Sequence, residues 1–363
     1  MFSGNGVFRA HYRSQDVAGN VEVAKDSGPV IINKYVMFSN ALGQSMRILY
    51  GTTLNITGDI HSNGSANING NTGSSLGTTF RTVAGANTIS GNTNTVLPAI
   101  STGGSAVPML AYPLSLYKSL ATVVFPSDLK LDSVSSTIGG ILYVEGNVEM
   151  YDVALSGPLS VVATGSITES TTDSTYQNND PHNGILLFAG QDVNVNSTGN
   201  HNTGLMYAPN GTVKVGATNL TLNGSLVGNN VEINGATTFN LAYSAAFAPS
   251  TSALPLAAMG LVVPTTAPPP LPDAPALSKP AAGATGQART RLLMSWYSST
   301  GAVGYQLQVS TSSAFTSTVY NKSYLSTGQK LDFSANTTYY WRVRAINQAG
   351  LGAWSTVRTF KTL

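Results

Sequence analysis

Between Gly139 and Gly235 one phrase recurs five times: GGILYVEGNVEM, GPLSVVATGSITE, GILLFAGQDVNVN, GLMYAPNGTVKV and GSLVGNNVEING. Each copy is a glycine, a short apolar run, a turn and an alternating strand. The opening glycines are Gly140, Gly157, Gly184, Gly204 and Gly224, set 17, 27, 20 and 20 residues apart. A unit of that length cannot bury its own apolar face and must stack on its neighbours. The pattern therefore predicts a solenoid, a parallel β-helix with three short strands per coil. The longest step accommodates residues 170–183 as a polar loop thrown out of one turn.

The polar positions are filled in an unusual way. Charged residues are only 9% of the 363, and Gly, Ser, Thr and Asn take their place, against about a quarter charged in ordinary soluble domains. This suits an extracellular, surface-displayed β protein. The formal net charge is +2 with no run of Lys or Arg, so no nucleic-acid partner is expected. The chain has no Cys, which excludes disulfides and thiol chemistry. The most apolar run, ALPLAAMGLVV at 253–263, is too short to cross a hydrocarbon core of about 30 Å, so no membrane span is expected. MFSGNGVF at the start has neither a basic n-region nor an apolar h-region, and the expectation is a fragment or processed form without its export signal.

Residues 6–24 alternate as two strands around a turn at Asp16–Asn20, which predicts a β-hairpin over residues 1–25. Its Tyr-Arg strand running into Asp-x-Ala-Gly-Asn resembles the last two strands of a bacterial immunoglobulin-like repeat. A lone hairpin buries too little apolar surface to stand by itself. Two readings follow: it caps the first coil, or its strands, through Phe8, Ala10, Tyr12, Val21 and Val23, pair with a second copy.

Residues 26–247 are assigned to the β-helix, with less regular coils before Thr95 and helical turns at Tyr112–Leu120 lying across them. Tyr112–Ala121, Gly140–Val148, Val162–Ile167 and Leu205–Gly211, in that order, resemble the β-helical domain of prokaryotic surface and pilus-associated proteins. The resemblance implies extracellular display and a structural or adhesive role, and it brings no catalytic residues. Residues 248–274 are Pro- and Ala-rich and read as a semi-rigid spacer. Residues 275–363 resemble fibronectin type III. Leu292/Met294/Trp296, Tyr305/Leu307/Val309 and Tyr339/Trp341/Val343/Ala345 each follow a period of two that puts them on one buried face of a β-sandwich. Trp354 is expected to be half exposed.

Parallel β-helices also carry polysaccharide lyases and hydrolases, whose chemistry needs carboxylates converging on a groove. Aligning the coils on Val148, Val193, Val213 and Val231 stacks Glu149, Asn194, Lys214 and Glu232 in one outer column and Asn147, Asp192, Thr212 and Asn230 in another. Neither column concentrates acid, so no enzyme is expected. Asp173, Asp180 and His182, with Asp192, form the best remaining cluster, in a loop that also reads as plain turn chemistry. No cofactor is expected, and calcium is the ion that the oxygens of Asp173, Asp180 and Asp192 would suit. The expected function is a non-enzymatic filament subunit or adhesin stalk that self-associates. The alternative is a carbohydrate-binding or carbohydrate-active β-helix with glycans as partners.

Overall fold

The computed structural model describes residues 7–12, 25–31, 35–49, 53–69, 75–76, 79–90, 99–107, 109, 113–132, 135–137, 140–151, 153–156, 159–170, 175–177, 187–196, 199–216, 220–234, 238–242 and 269–363. Nearly all of it is β-structure, with 61% strand and 3% helix. A parallel β-solenoid is followed by a fibronectin type III-like sandwich.

Each coil runs through three faces. Gly140–Val144, Val148–Tyr151 and Ala154–Ser156 make one such coil, and Gly199–Val215 bends around all three faces as a nearly continuous strand. The first face holds the run after each glycine and is buried on both sides, as in Gly140–Val144 and Tyr35–Ser39. The second face alternates, so that Val148, Met150, Val193, Val195, Val213 and Val215 point into the lumen. The registers Val148↔Ile167↔Val193↔Val213↔Val231 are those the repeat implies. The third face persists where a loop was expected, because Thr175–Gln177 pairs with Ala154–Ser156 and with His201 and Asn202.

The coils do not stack in chain order. On the first face, Val123–Phe125 lies at one end, followed by Gly140–Val144, Leu159–Ala163, Leu187–Ala189 and the middles of Gly199–Val215 and Leu220–Asn234. The next rung is Tyr35–Ser39, and beyond it come Asp59–Ser62, Thr79–Thr82 and Ile100–Thr102. The last coil of the long run thus meets the first coil of the chain in a seam. All three faces join there in parallel register: Leu226↔Met37, Val231↔Met46 and Phe239↔Leu54.

That order obliges the chain to travel back along the stack between Thr102 and Val123, roughly nine rung spacings or about 43 Å. The intervening segment, with the helix Leu114–Leu120, can reach roughly 53 Å at about 1.5 Å per helical and 3.3 Å per extended residue. Its described residues, among them Val107, Met109, Leu114 and Tyr117, lie along the outside of the first face as a strap. Its anchors are Arg81 Nη2 to the Gly103 carbonyl (3.3 Å), Asn63 to Val107, and the Lys118–Glu145 ion pair. Beneath it lies an aromatic and aliphatic stripe that includes Phe38, Tyr143, Phe188 and Tyr207, on which Tyr117 packs. The helix expected at Tyr112–Leu120 is therefore this strap's central turn.

The sandwich has one sheet of Leu277–Lys279, Leu292–Trp296 and Gly328–Leu331. Its second sheet holds Tyr320–Tyr324, Gly304–Ser310, Thr338–Asn347, Gly350–Trp354 and Arg358–Thr362. Trp296, Leu307, Val309, Trp341 and Val343 fill the space between, as the period of two predicts. Pro270, within the span read as a spacer, touches the sandwich: its carbonyl accepts Asn347 Nδ2 at 2.8 Å.

This sandwich covers the solenoid end at Val123–Asp132. Tyr320–Tyr324, an edge strand, adds in parallel to Leu129–Asp132 through Leu129↔Ser323 and Lys130↔Tyr324. Ser323 N–H donates to the Asp128 carbonyl (2.7 Å), and Ser127 Oγ lies 3.0 Å from Ser323 Oγ. Ile346 joins the lumen cluster, flanked by Val303, Leu325 and Leu351. Gly304 sits so close that a Cβ there would stand 2.7 Å from the Phe125 ring. An open rung of unpaired N–H and C=O groups is a liability, and this contact removes it at one end.

The N-terminal strand Val7–Tyr12 pairs antiparallel with Lys25–Ile31, from Val7↔Ile31 to Tyr12↔Lys25. The second strand thus falls later than the sequence suggests, inside the span assigned to the β-helix. The coil that follows it, from Tyr35, is interior to the stack and paired on both edges.

Candidate functional site

Of the residues expected to bind a cation, Asp173 and Asp180 lie outside the described residues, as does His182. Asp192 is described, and it is a link in a polar spine. At the turn between the first and second faces each rung accepts from the next. Asn147 N–H donates to Asp128 Oδ1 (2.8 Å), Ser166 N–H to Asn147 Oδ1 (2.9 Å), Asp192 N–H to Ser166 Oγ (3.3 Å) and Thr212 N–H to Asp192 Oδ1 (2.7 Å). The turn N–H groups cannot join the strand ladders, so a short side chain with an acceptor is required in each coil. The Asp192 carboxylate is committed to that task. Among the described residues no group of three or more His, Cys, Asp or Glu could hold a metal ion.

Of the residues expected to pair with another copy, Phe8, Ala10 and Tyr12 lie on the strand Val7–Tyr12. Val21 and Val23 lie outside the described residues.

The outer column of Glu149, Asn194, Lys214 and Glu232 carries its charges in ion pairs. Glu232 lies 3.5 Å from Lys214 and 3.3 Å from Arg47, so it ties the seam from both sides. Glu149 lies 3.1 Å from Lys322 and ties the sandwich to the stack. Exposed pairs of this kind contribute about 0–1 kcal/mol each, and they fix register more than stability. On the third face Asn55 Nδ2 donates to Asn240 Oδ1 (2.8 Å) across the seam. Glu169, a residue type that gives no sign of burial although its position alternates inward with Ile167, faces the lumen between Met150 and Val195 and is fully buried.

The strap is held by a second group that sequence reasoning missed. Asn63 is a two-way clamp: its Oδ1 accepts Val107 N–H (2.8 Å) and its Nδ2 donates to the Val107 carbonyl (2.7 Å). That network fixes the amide orientation, so His61 Nε2–H donates to Asn63 Oδ1 (2.9 Å) and Nδ1 is the bare nitrogen. His61 is fully buried, stacked 4.9 Å from Tyr35 and 5.6 Å from Phe38, and Nδ1 has no hydrogen-bond partner. Burial holds the imidazole below its usual range; the Asn63 bond opposes this and the nearby Arg81 adds to it.

On the sandwich, the outer face of the second sheet carries a stack in the order Phe315, Arg342, Trp354, Arg344. The Arg342 guanidinium carbon is 4.1 Å from the Phe315 centroid and 4.3 Å from that of Trp354, and that of Arg344 is 4.4 Å from Trp354. Gln308 Oε1 accepts Arg342 Nε and Nη2 (2.9 and 2.7 Å), and Gln306 Oε1 accepts Arg344 Nε (2.7 Å). Trp354 is half-buried, as expected.

A family model described as a domain of unknown function, DUF7305, matches residues 123–248, the long run of coils from the capped end to the seam. No curated protein matches the chain. Among solved structures, the chain is similar to one called FN3tt mut, at 21% identity over 26% of this chain and 96% of that one, with a TM-score of 0.20. It is also similar to an Fn3-like protein from Clostridium thermocellum, at 19% identity over 27% and 96%, TM-score 0.20. An alpha-L-rhamnosidase from Dictyoglumus thermophilum matches at 16% over 27% of this chain but only 13% of its own, TM-score 0.21. No helix among the described residues is long and apolar enough to cross a membrane.

Proposed function

We propose that the chain is a non-enzymatic structural protein of an extracellular surface, a rod that serves as the subunit of a filament or as an adhesin stalk. The observation that carries this reading is the closed state of the solenoid. Apart from Glu169 its described lumen is mainly apolar, its outer columns are occupied by ion pairs and amide ladders, and one end is sealed by the sandwich. Glu232 is engaged in holding rungs together and Glu149 in holding the sandwich to the stack, and among the described residues no cluster of carboxylates converges on a groove.

Self-association through the N-terminal strand Val7–Tyr12 is the favoured route to a fibre, by strand addition between copies. Negative-stain microscopy of native material, labelled with antibody to the sandwich domain, should show decorated rods or fibres. Deleting residues 1–24 should leave the far-UV β signal intact and abolish growth beyond single rods. Fibres that form equally well without those residues would remove the strand-addition route. Monodisperse particles that release reducing or unsaturated ends from a polysaccharide would overturn the structural reading altogether.

A further inference from the structure

The two parts of the chain are oppositely charged. Residues 269–363 hold nine Lys or Arg against two Asp and no Glu, a balance of +7, whereas residues 1–268 hold nine against fourteen acids, a balance of −5. Within the sandwich neither acid pairs with Arg342 or Arg344: Asp332 accepts the Arg291 N–H, and Asp273 is exposed on the irregular segment before Leu277–Lys279. The two arginines are therefore clamped side by side on neutral acceptors, with no carboxylate between them. Burial, reinforced for Arg344 by the neighbouring Arg342, disfavours their charge, and no acid relieves it.

We infer that the outer sheet face around Arg342, Trp354 and Arg344 binds the carboxylates of an acidic polysaccharide. The stacking fixes each guanidinium plane, and the glutamines use Arg342 Nε and Nη2 and Arg344 Nε. The remaining N–H groups form two edges, one indole apart, each suited to a carboxylate. Amides of Gln308 and Asn321 and the rims of two aromatic rings interleave with the charges, over the buried Gln306. Such a surface fits a polymer of sparse charge and many hydroxyls. A duplex, with one charge per about 1.7 Å, calls for a denser basic track. A second copy of the chain is a poor occupant: among the described solenoid acids Asp132, Glu145, Glu149 and Glu232 have basic partners, Asp59, Asp128 and Asp192 accept hydrogen bonds within the stack, and Glu169 is buried.

The inference names a partner for the adhesive form of the proposed function and rests on that reading for its setting alone; rods without polymer binding would remove it and leave the rod standing. The full chain is titrated with polygalacturonate while tryptophan emission is followed. Trp296 and Trp341 are buried, so Trp354 is the reporter. The expected result is a saturable change, lost in Trp354→Phe and weakened at least tenfold in the double variant R342Q/R344Q. K279Q/K330Q removes the same charge from the opposite sheet and should stay within about twofold of the parent. R342K/R344K keeps the charge and guards against unfolding; it should bind several-fold more weakly, because a lysine cannot fork. Monomeric galacturonate at equal carboxylate concentration should bind at least tenfold more weakly than the polymer. The inference is overturned by the absence of saturable binding, by equal losses in both charge-removing pairs, by parent-like binding of R342K/R344K, or by equal affinity for polyglutamate.

Discussion

At the scale of single residues, the chemistry of this chain is concentrated in positions where a polar group sits in an apolar setting. His61 is the sharpest case. Its native pKa is lowered from the ordinary value of 6.5, so below that value the unfolded chain takes up a proton that the native imidazole refuses. Stability therefore falls as pH drops from 6.5 toward the lowered native value, and is recovered above it. Protonation at Nδ1 would place a donor where no acceptor waits, beside Arg81 and within the clamp that holds Val107. Thermal melts between pH 7.5 and 4.5 should show this slope, and His61→Phe should flatten it while keeping the stack on Tyr35 and Phe38. An unchanged slope in the variant would assign the effect to other groups. Asp192 shows the reverse error of reading. As a sequence letter it is a ligand candidate; in place it accepts a backbone N–H in a turn, a role that Asn147 and Ser166 fill equally well at neighbouring rungs.

At the scale of elements, what could be read from the chain depended on how local the cause was. The glycine-led rungs, their lumen registers and the period-two strands of the sandwich follow from side-chain alternation within ten residues, and all are legible. The strap is only half legible. Its helix shows as YPLSLYKSL, but nothing in that string says it lies along a stripe of rings contributed by coils far apart in the chain. Tyr117 meets Phe188 edge-on at 5.2 Å, and Phe188 meets Tyr207 at 4.9 Å. Truncating Tyr117 to Ala should cost about 3–5 kcal/mol in chemical denaturation, the scale of a lost core aromatic. A cost under about 1 kcal/mol would mean that the strap is loosely applied.

At the scale of the whole molecule, the order of the coils is the feature that sequence could not give. Parallel rungs pair by backbone groups, and any coil with the same cross-section can follow any other; contiguity in the chain has no bearing on the bond. The seam between Thr238–Ala242 and Thr53–Thr57 is such a joint, and the absence of cysteine makes it easy to probe. Asn55 and Asn240 face each other across it. The double variant N55C/N240C should form an intrachain disulfide under mild oxidation and resist unfolding until reduced. Failure to close, with folding intact, would exclude the out-of-order stack.

The seam also decides where force would travel. The chain enters the stack at Tyr35, in its middle, and the C-terminal sandwich grips the far end at Leu129–Asp132. Tension applied between the N-terminal strand and the sandwich is carried by the coils from Leu220–Asn234 back to Val123–Phe125, which are loaded together along their stacking axis. The coils from Asp59 to Thr102 lie on the other side of the entry point and hang outside the load path. This makes them the part of the rod best placed to change partner or be rebuilt without weakening the mechanical link.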